Sequence, residues 1–170
     1  MDLKALVRNI PDFPKKGILF RDITPLIGDA DGFEELVNEM AKPLFEQDVD
    51  LVVGPEARGF IFGASIANTL HAGFVPARKP GKLPYETISY EYGLEYGTDE
   101  LQIHVDAIRP GSRVAIVDDL LATGGTALAC AKLVEKAGGV VVGCVFAIEL
   151  SDLNGRETLK DYPVETVLKY

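Results

Sequence analysis

Two adjacent acids close an apolar run, and four residues later a glycine pair sits between two threonines. This stretch, Val114 to Thr126 (VAIVDDLLATGGT), is where residue types and spacing point most directly to chemistry. Glycines let a backbone approach an anion closely and turn several N–H groups toward it. The hydroxyls of Thr123 and Thr126 add donors, and a helix opening here supplies free N–H groups with a partial positive charge. The result is a cradle for one phosphate dianion. No Lys follows the glycines, so it is not the nucleotide-binding P-loop. Asp118 and Asp119 precede the cradle by about one sugar length, and carboxylates accept hydrogen bonds from vicinal hydroxyls. A ribose with its 5′-phosphate in the cradle would bring its 2′- and 3′-hydroxyls to these acids. Their charge would also favour a cation developing at the anomeric carbon. A helix cap and a glycine-rich turn would account for TGGT alone. Two acids at a strand end are harder to explain as packing, because unpaired carboxylates are costly to bury.

These groups work only if the backbone holds them in place. Arg113 to Asp118 (RVAIVD) reads as a buried strand and Thr126 to Ala137 as a helix. The same alternation recurs on both sides. Asp50 to Gly54 and Phe74 to Lys79 read as strands with a helix over 59–71 between them, Val140 to Glu149 reads as another strand, and Val164 to Lys169 closes the chain. This pattern predicts an α/β fold with a mainly parallel, twisted sheet flanked by helices. Ligands in such folds lie beyond the carboxyl ends of the strands, which points to the residues after Val53, Val75 and Val117. A helix is expected to start near Asp31, with Phe33, Leu36, Val37, Met40 and Leu44 as its buried stripe. Residues 2–9 have helical spacing, and Pro11 to Pro25 (PDFPKKGILFRDITP) is expected to wrap the surface. Residues 80–100 carry three glycines and two prolines, and they read as a mobile hairpin serving as a lid. An ordinary surface hairpin is the plainer alternative.

The 170 residues suit a single domain, and 47% hydrophobic with 25% charged residues is a globular profile. No apolar run is long enough to span a bilayer, and MDLKALVRNI lacks the apolar core of a signal peptide. Cys130 falls in a helix-like segment and Cys144 in a strand-like run, so both are expected to be buried, reduced thiols in a cytoplasmic protein. A net charge of −9 opposes a nucleic-acid partner, which would need a broad basic surface. It does not oppose a small anion held by a local pocket of donors.

VAIVDDLLATGGT resembles the ribose-5-phosphate-binding signature of the type I phosphoribosyltransferases, and its DDLLATGGT form is most similar to the adenine-using branch of that family. Three other segments agree in type and order: Phe13 to Leu26 (FPKKGILFRDITPL), Gly54 to Phe62 (GPEARGFIF) and Leu94 to Gly97 (LEYG). Together they cover nearly the whole chain. The resemblance implies 5-phosphoribosyl 1-diphosphate (PRPP) as substrate and Mg²⁺ as cofactor, with the metal carried on PRPP near Asp118. It implies that Ala122, Thr123, Gly124, Gly125 and Thr126 hold the 5′-phosphate with Leu120 beside them, and that Asp118 and Asp119 hold the ribose. The turn Glu56-Ala57-Arg58-Gly59 resembles the family's pyrophosphate loop, with Arg58 as charged donor and a cis peptide between Glu56 and Ala57. By residue type alone, Arg58 also reads as a surface arginine pairing with Glu56. Arg78, Lys79 and Lys82 would add positive charge for the departing pyrophosphate, although three basic residues taken alone describe a solvated face. Leu19, Phe20 and Arg21 resemble a hood over the base, where a Phe ring offers a stacking surface. Without the resemblance, Phe20 reads as a core aromatic. In the hairpin, Glu95 and Tyr96 resemble the pair that closes over the reaction, with Glu95 taking the proton from the purine nitrogen.

The implied reaction is purine salvage, in which adenine and PRPP give AMP and pyrophosphate. One domain over 1–170 would carry it, with 11–26 as base-binding hood, 80–100 as lid, and a homodimer as the implied assembly. Two other readings stay open. A non-catalytic PRPP-sensing regulator on the same fold would call for an added DNA-binding domain and a basic face. An enzyme for another purine, such as xanthine, would keep the cradle and change the hood.

Overall fold

In a computed structural model, which describes residues 1–94 and 96–170, the β-branched apolar runs pair into one parallel sheet with helices on both faces. The chain opens with a hairpin, β1 (Arg8–Pro11) and β2 (Leu19–Asp22), followed by α1 (Thr24–Ile27) and α2 (Ala30–Ala41). Next come β3 (Leu51–Pro55), α3 (Arg58–Thr69) and β4 (Gly73–Ala77). A second hairpin, β5 (Thr87–Gly93) and β6 (Thr98–His104), precedes β7 (Arg113–Leu121), α4 (Gly125–Lys136), β8 (Val140–Glu149), α5 (Gly155–Thr158) and β9 (Val164–Lys169). The central sheet has the order β4-β3-β7-β8-β9, parallel throughout. β3 leads outward to β4 and β7 leads the other way to β8, so the winding reverses between β3 and β7. A reversal of this kind leaves a crevice at the carboxyl ends of the two strands.

The alternation along β7 shows why both faces need cover. Ala115 and Val117 enter a core with Leu36 and Met40 of α2 and Phe62 and Ile66 of α3. Val114 and Ile116 enter the opposite core with Cys130, Leu133 and Val134 of α4. Each large aliphatic side chain fully buried this way contributes roughly 1.5–3 kcal/mol before entropic costs. Both cysteines are free and buried, and burial pushes the Cys144 thiol up to about 12. Among the described residues no helix is long and apolar enough to cross a membrane.

Four local expectations differ from what forms. Residues 2–9 are not a helix: a single 3₁₀ turn over Leu3–Leu6 gives way to β1. Pairing of Arg8–Pro11 with Leu19–Asp22 claims the second half, and the buried Leu3 and Val7 still reach the core. The Pro11–Pro25 segment therefore contains regular structure, β2 and the start of α1. The cap of α2 is Asp29, whose carboxylate accepts from the Gly32 N–H at 2.8 Å, and Asp31 lies in the first turn. The hairpin is displaced toward the C-terminus of 80–100, with Thr87 opposite His104. Its second strand buries Leu101 and Ile103 in the α4-side core, so its base is part of the packed structure.

Candidate active site

The cradle depends on a turn that only glycine can make. β7 ends at Leu121 and α4 begins at Gly125, and between them Gly124 takes φ +87. A side chain at 124 would be strained by that backbone and would also collide with neighbours. Its Cβ would lie 2.8 Å from the Gly155 carbonyl oxygen and 2.9 Å from Cβ of Thr158. The turn presents the first N–H groups of α4 to a cavity of about 260 Å³, which is lined by residues 118–127 on one side and 56–58 on the other. Every position from Leu120 to Thr126 proposed for the 5′-phosphate lies on this cavity.

Asp118 and Asp119 lie within β7 rather than beyond it, because the strand runs on to Leu121. They meet different surroundings. Asp119 is buried and pairs with the Arg58 Nε, which opens α3 across the crevice. That hydrogen bond, partly opposed by burial, raises the Arg58 guanidinium further above its usual range. Arg58 therefore pairs with Asp119 and not with Glu56. Asp118 keeps some surface on the cleft yet lies deep among protein atoms, and its Oδ1 accepts the Asp119 backbone N–H at 2.8 Å. Burial, and then the neighbouring Asp119 charge, push its carboxyl well above the usual carboxylate range. Gly59 makes room for this carboxylate, because a Cβ there would lie 2.9 Å from Asp118 Oδ1.

The Glu56–Ala57 peptide is cis. The Glu56 carboxylate gathers the basic residues that follow β4. It accepts from the Lys79 backbone N–H at 2.8 Å and from Lys82 Nζ at 2.7 Å, and it pairs with Arg78 Nε at 3.4 Å. Burial opposes ionisation of Glu56, but these donors outweigh it and hold its carboxyl below the ordinary range. Lys79 Nζ reaches Asp99 on β6 at 3.4 Å. Arg78, Lys79 and Lys82 are thus ion-paired at the rim and do not line the cradle cavity.

A second, mostly apolar cavity of about 380 Å³ lies under the first hairpin. Leu19, Phe20 and Arg21 line it, together with Phe13, Ile148 and Leu150. Phe13 meets Phe20 edge to face with ring centroids 5.1 Å apart. The Arg21 guanidinium stacks 4.1 Å from the Tyr170 ring centroid and donates to Asn9 Oδ1 at 2.5 Å, so its side chain braces the hairpin. Arg58, Asp119 and Leu120 line both cavities, so the two adjoin at these residues. Tyr96 is 88% exposed at the tip of the second hairpin, away from both. Glu95 lies outside the described residues.

Sequence reasoning missed Ile148 and Leu150. It applied the strand-end rule after β3, β4 and β7 but not after β8, where the same rule would have found them. It also missed Gly155 and Thr158, which carry no motif and become neighbours of the cradle only through folding.

A family model for the phosphoribosyl transferase domain matches residues 27–169. A curated relative, adenine phosphoribosyltransferase of Alkaliphilus metalliredigens, is 61% identical over 170 residues, covering 100% of both chains. The crystal structure of adenine phosphoribosyltransferase from Thermoanaerobacter pseudethanolicus superposes with a TM-score of 0.96 at 56% identity, over 99% of this chain and 98% of that one. The enzyme from Saccharomyces cerevisiae, solved with an imino-altritol bisphosphate and adenine, superposes with a TM-score of 0.91 at 41% identity, over 97% of this chain and 96% of that one.

Proposed function

The chain belongs to the phosphoribosyltransferase family, and from that premise we propose that it joins adenine to the phosphoribosyl group of PRPP, giving AMP and pyrophosphate for purine salvage. One observation carries this reading: an apolar cavity sized for a flat base adjoins a polar cradle sized for a sugar phosphate, and they meet at Arg58, Asp119 and Leu120. A base nitrogen and an anomeric carbon brought together there would be in position to bond.

The sugar phosphate enters the cradle, where N–H groups of 123–126 and the Thr123 and Thr126 hydroxyls take the 5′-phosphate. Asp118 and Asp119 accept from the ribose hydroxyls. As the bond to pyrophosphate lengthens, positive charge grows on the sugar and the two carboxylates stabilise it electrostatically. Arg58 belongs to the pyrophosphate loop and reaches across to Asp119, so its guanidinium can serve the leaving group while steadying the acid. The rim cations on Glu56 and Asp99 are within the same region and can exchange partners when a more highly charged anion arrives. Phe20 and Phe13 cover the base, and Glu95 is assigned the proton lost from the purine nitrogen.

Mg²⁺ fits this site as a passenger of the substrate. Among the described residues no group of three or more acids, histidines or cysteines could hold a metal by itself. Asp118 offers a cleft-facing carboxylate whose charge is poorly compensated, which suits a cation held mainly by diphosphate oxygens. Asp118 would help hold the ion there, and the chemistry the ion would supply is neutralisation of charge on the pyrophosphate. A homodimer and a cytoplasmic location complete the proposal, supported by the family and by the two buried, reduced thiols.

The test is a purine panel with PRPP and Mg²⁺, read as nucleotide formed. Adenine should lead, with hypoxanthine and guanine lower in kcat/KM by ~10²-fold or more, because the wrong base leaves buried polar groups unpaired. Equal turnover of guanine or xanthine would overturn the adenine assignment, and PRPP binding without turnover of any base would favour a sensor.

A further inference from the structure

We propose that the segment from Glu149 to Thr158, which carries no recognised motif, is the outer wall of the phosphate cradle, and that Thr158 is a positioning residue for PRPP. Thr158 Oγ1 donates to the Thr123 carbonyl oxygen at 2.7 Å, holding the peptide that leads into Gly124. A carbonyl fixed outward in this way leaves the following N–H groups directed into the cavity. The Gly155 carbonyl and the Thr158 Cβ close the other side of Gly124, leaving no space for a side chain. A Cβ on Gly155 would itself lie 2.6 Å from the Ala122 carbonyl oxygen, so the two backbones are in direct contact.

The wall is anchored at its far end. Arg156 grips the buried Glu149 with two parallel hydrogen bonds, Nε to Oε1 at 2.9 Å and Nη2 to Oε2 at 3.0 Å. Its Nη1 donates to the Val164 carbonyl at 3.0 Å, tying the segment to β9. Thr166 on β9 donates to Glu149 Oε2 at 2.7 Å. The Leu150 N–H donates to the Leu121 carbonyl at 3.0 Å, which joins the start of the segment to the end of β7. A planar, bidentate Arg–carboxylate pair fixes orientation as well as distance. The segment is therefore held at β7, β8 and β9, and it touches the cradle at Gly124 and Thr123. None of its residues from 151 to 158 lines the cavity, so Thr158 acts through Thr123 and does not touch the ligand.

This inference rests on the phosphoribosyl-transfer reading. Thr158→Val keeps the shape and removes the hydroxyl, and Thr158→Ser restores it. Calorimetric binding of PRPP with Mg²⁺, together with separate KM values for PRPP and adenine, should show PRPP affinity about 3- to 10-fold weaker in the Val variant, the effect of one lost hydrogen bond. The adenine KM should stay within about 2-fold and the Ser variant should recover most of the loss. If the Val variant does not fold, Thr158→Ala supports the same comparison. Unchanged PRPP affinity, or a rise in both KM values in step, overturns the positioning role. Failure of the unmodified protein to bind PRPP overturns the functional reading itself, and the inference with it.

Discussion

Replacing Gly124 with Ala sets two costs against each other at one atom. The residue sits at φ +87, where an L side chain costs about 1–2 kcal/mol. The new Cβ would lie 2.8 Å from a backbone oxygen and 2.9 Å from Cβ of Thr158, neither of which is the end of a flexible chain. Overpacking of that kind costs roughly 1–3 kcal/mol. The sum is about 2–5 kcal/mol, or roughly 4–20 °C in melting temperature for a chain of this size. The chain can lower this cost only by moving the turn, and movement misaligns the cradle donors. Losing one hydrogen bond to a dianion weakens PRPP binding by about 10- to 100-fold. Gly125 provides the control. It has no positive φ, and a Cβ there would meet the Tyr92 ring at an ordinary 3.6 Å. Gly125→Ala should therefore be neutral or stabilising by up to ~1 kcal/mol, as Ala generally is in a helix. Scanning calorimetry and PRPP titration on both variants check this. The reasoning fails if Gly124→Ala melts within about 2 °C of the parent and binds PRPP equally well.

Asp118→Asn should lower activity and raise stability. The folded state raises the Asp118 pKa above its unfolded value, so ionisation works against folding once pH exceeds about 3.9, and the penalty is complete above the folded pKa. The Asn variant should melt above the parent at pH 7, with the difference shrinking toward pH 4, while activity falls by ~10-fold or more; a lower melting point at pH 7 contradicts this. Tyr170→Leu removes the ring stacked on Arg21 at 4.1 Å and should raise the adenine KM by about 3- to 10-fold without changing the PRPP KM. Tyr170→Phe should restore it, and a parallel rise in the PRPP KM would show that the ring does not act through the hood. Glu95→Gln should slow single-turnover chemistry by ~10²–10⁴-fold with little change in melting temperature, and a near-normal rapid-quench rate removes the proton-transfer role.

Features set by local pattern were legible in the sequence, and features set by distant pairing were not. β8 forms at Val140–Glu149, as its apolar run indicates. The TGGT turn was readable because glycine, hydroxyl and helix start follow one another directly. Arg58 lines the crevice, and its pairing with Asp119 was not legible, since the crossing that brings α3 to β7 spans 61 positions of sequence. Residues 2–9 were misread because Leu3, Leu6, Val7 and Ile10 fit a helical period, while strand pairing with residues 19–22 decides the outcome. Residues 80–100 read as a mobile hairpin, whereas its base packs into the core. That reading came from its glycine-rich tip and overlooked Leu101 and Ile103, which follow it.

The base cavity is roofed by a two-stranded sheet separate from the five-stranded sheet that carries the cradle. Among the described residues the base cavity and the cradle cavity share only Arg58, Asp119 and Leu120 as common walls. Substitutions in the roof at Phe13, Leu19 or Phe20 touch neither the turn at Gly124 nor its bracing. A lineage, or a laboratory selection, can therefore change the base that is read while the sugar-phosphate handle stays fixed. Altering the handle has no such freedom at Gly124, which lies directly against the backbone of the segment tied to β7, β8 and β9.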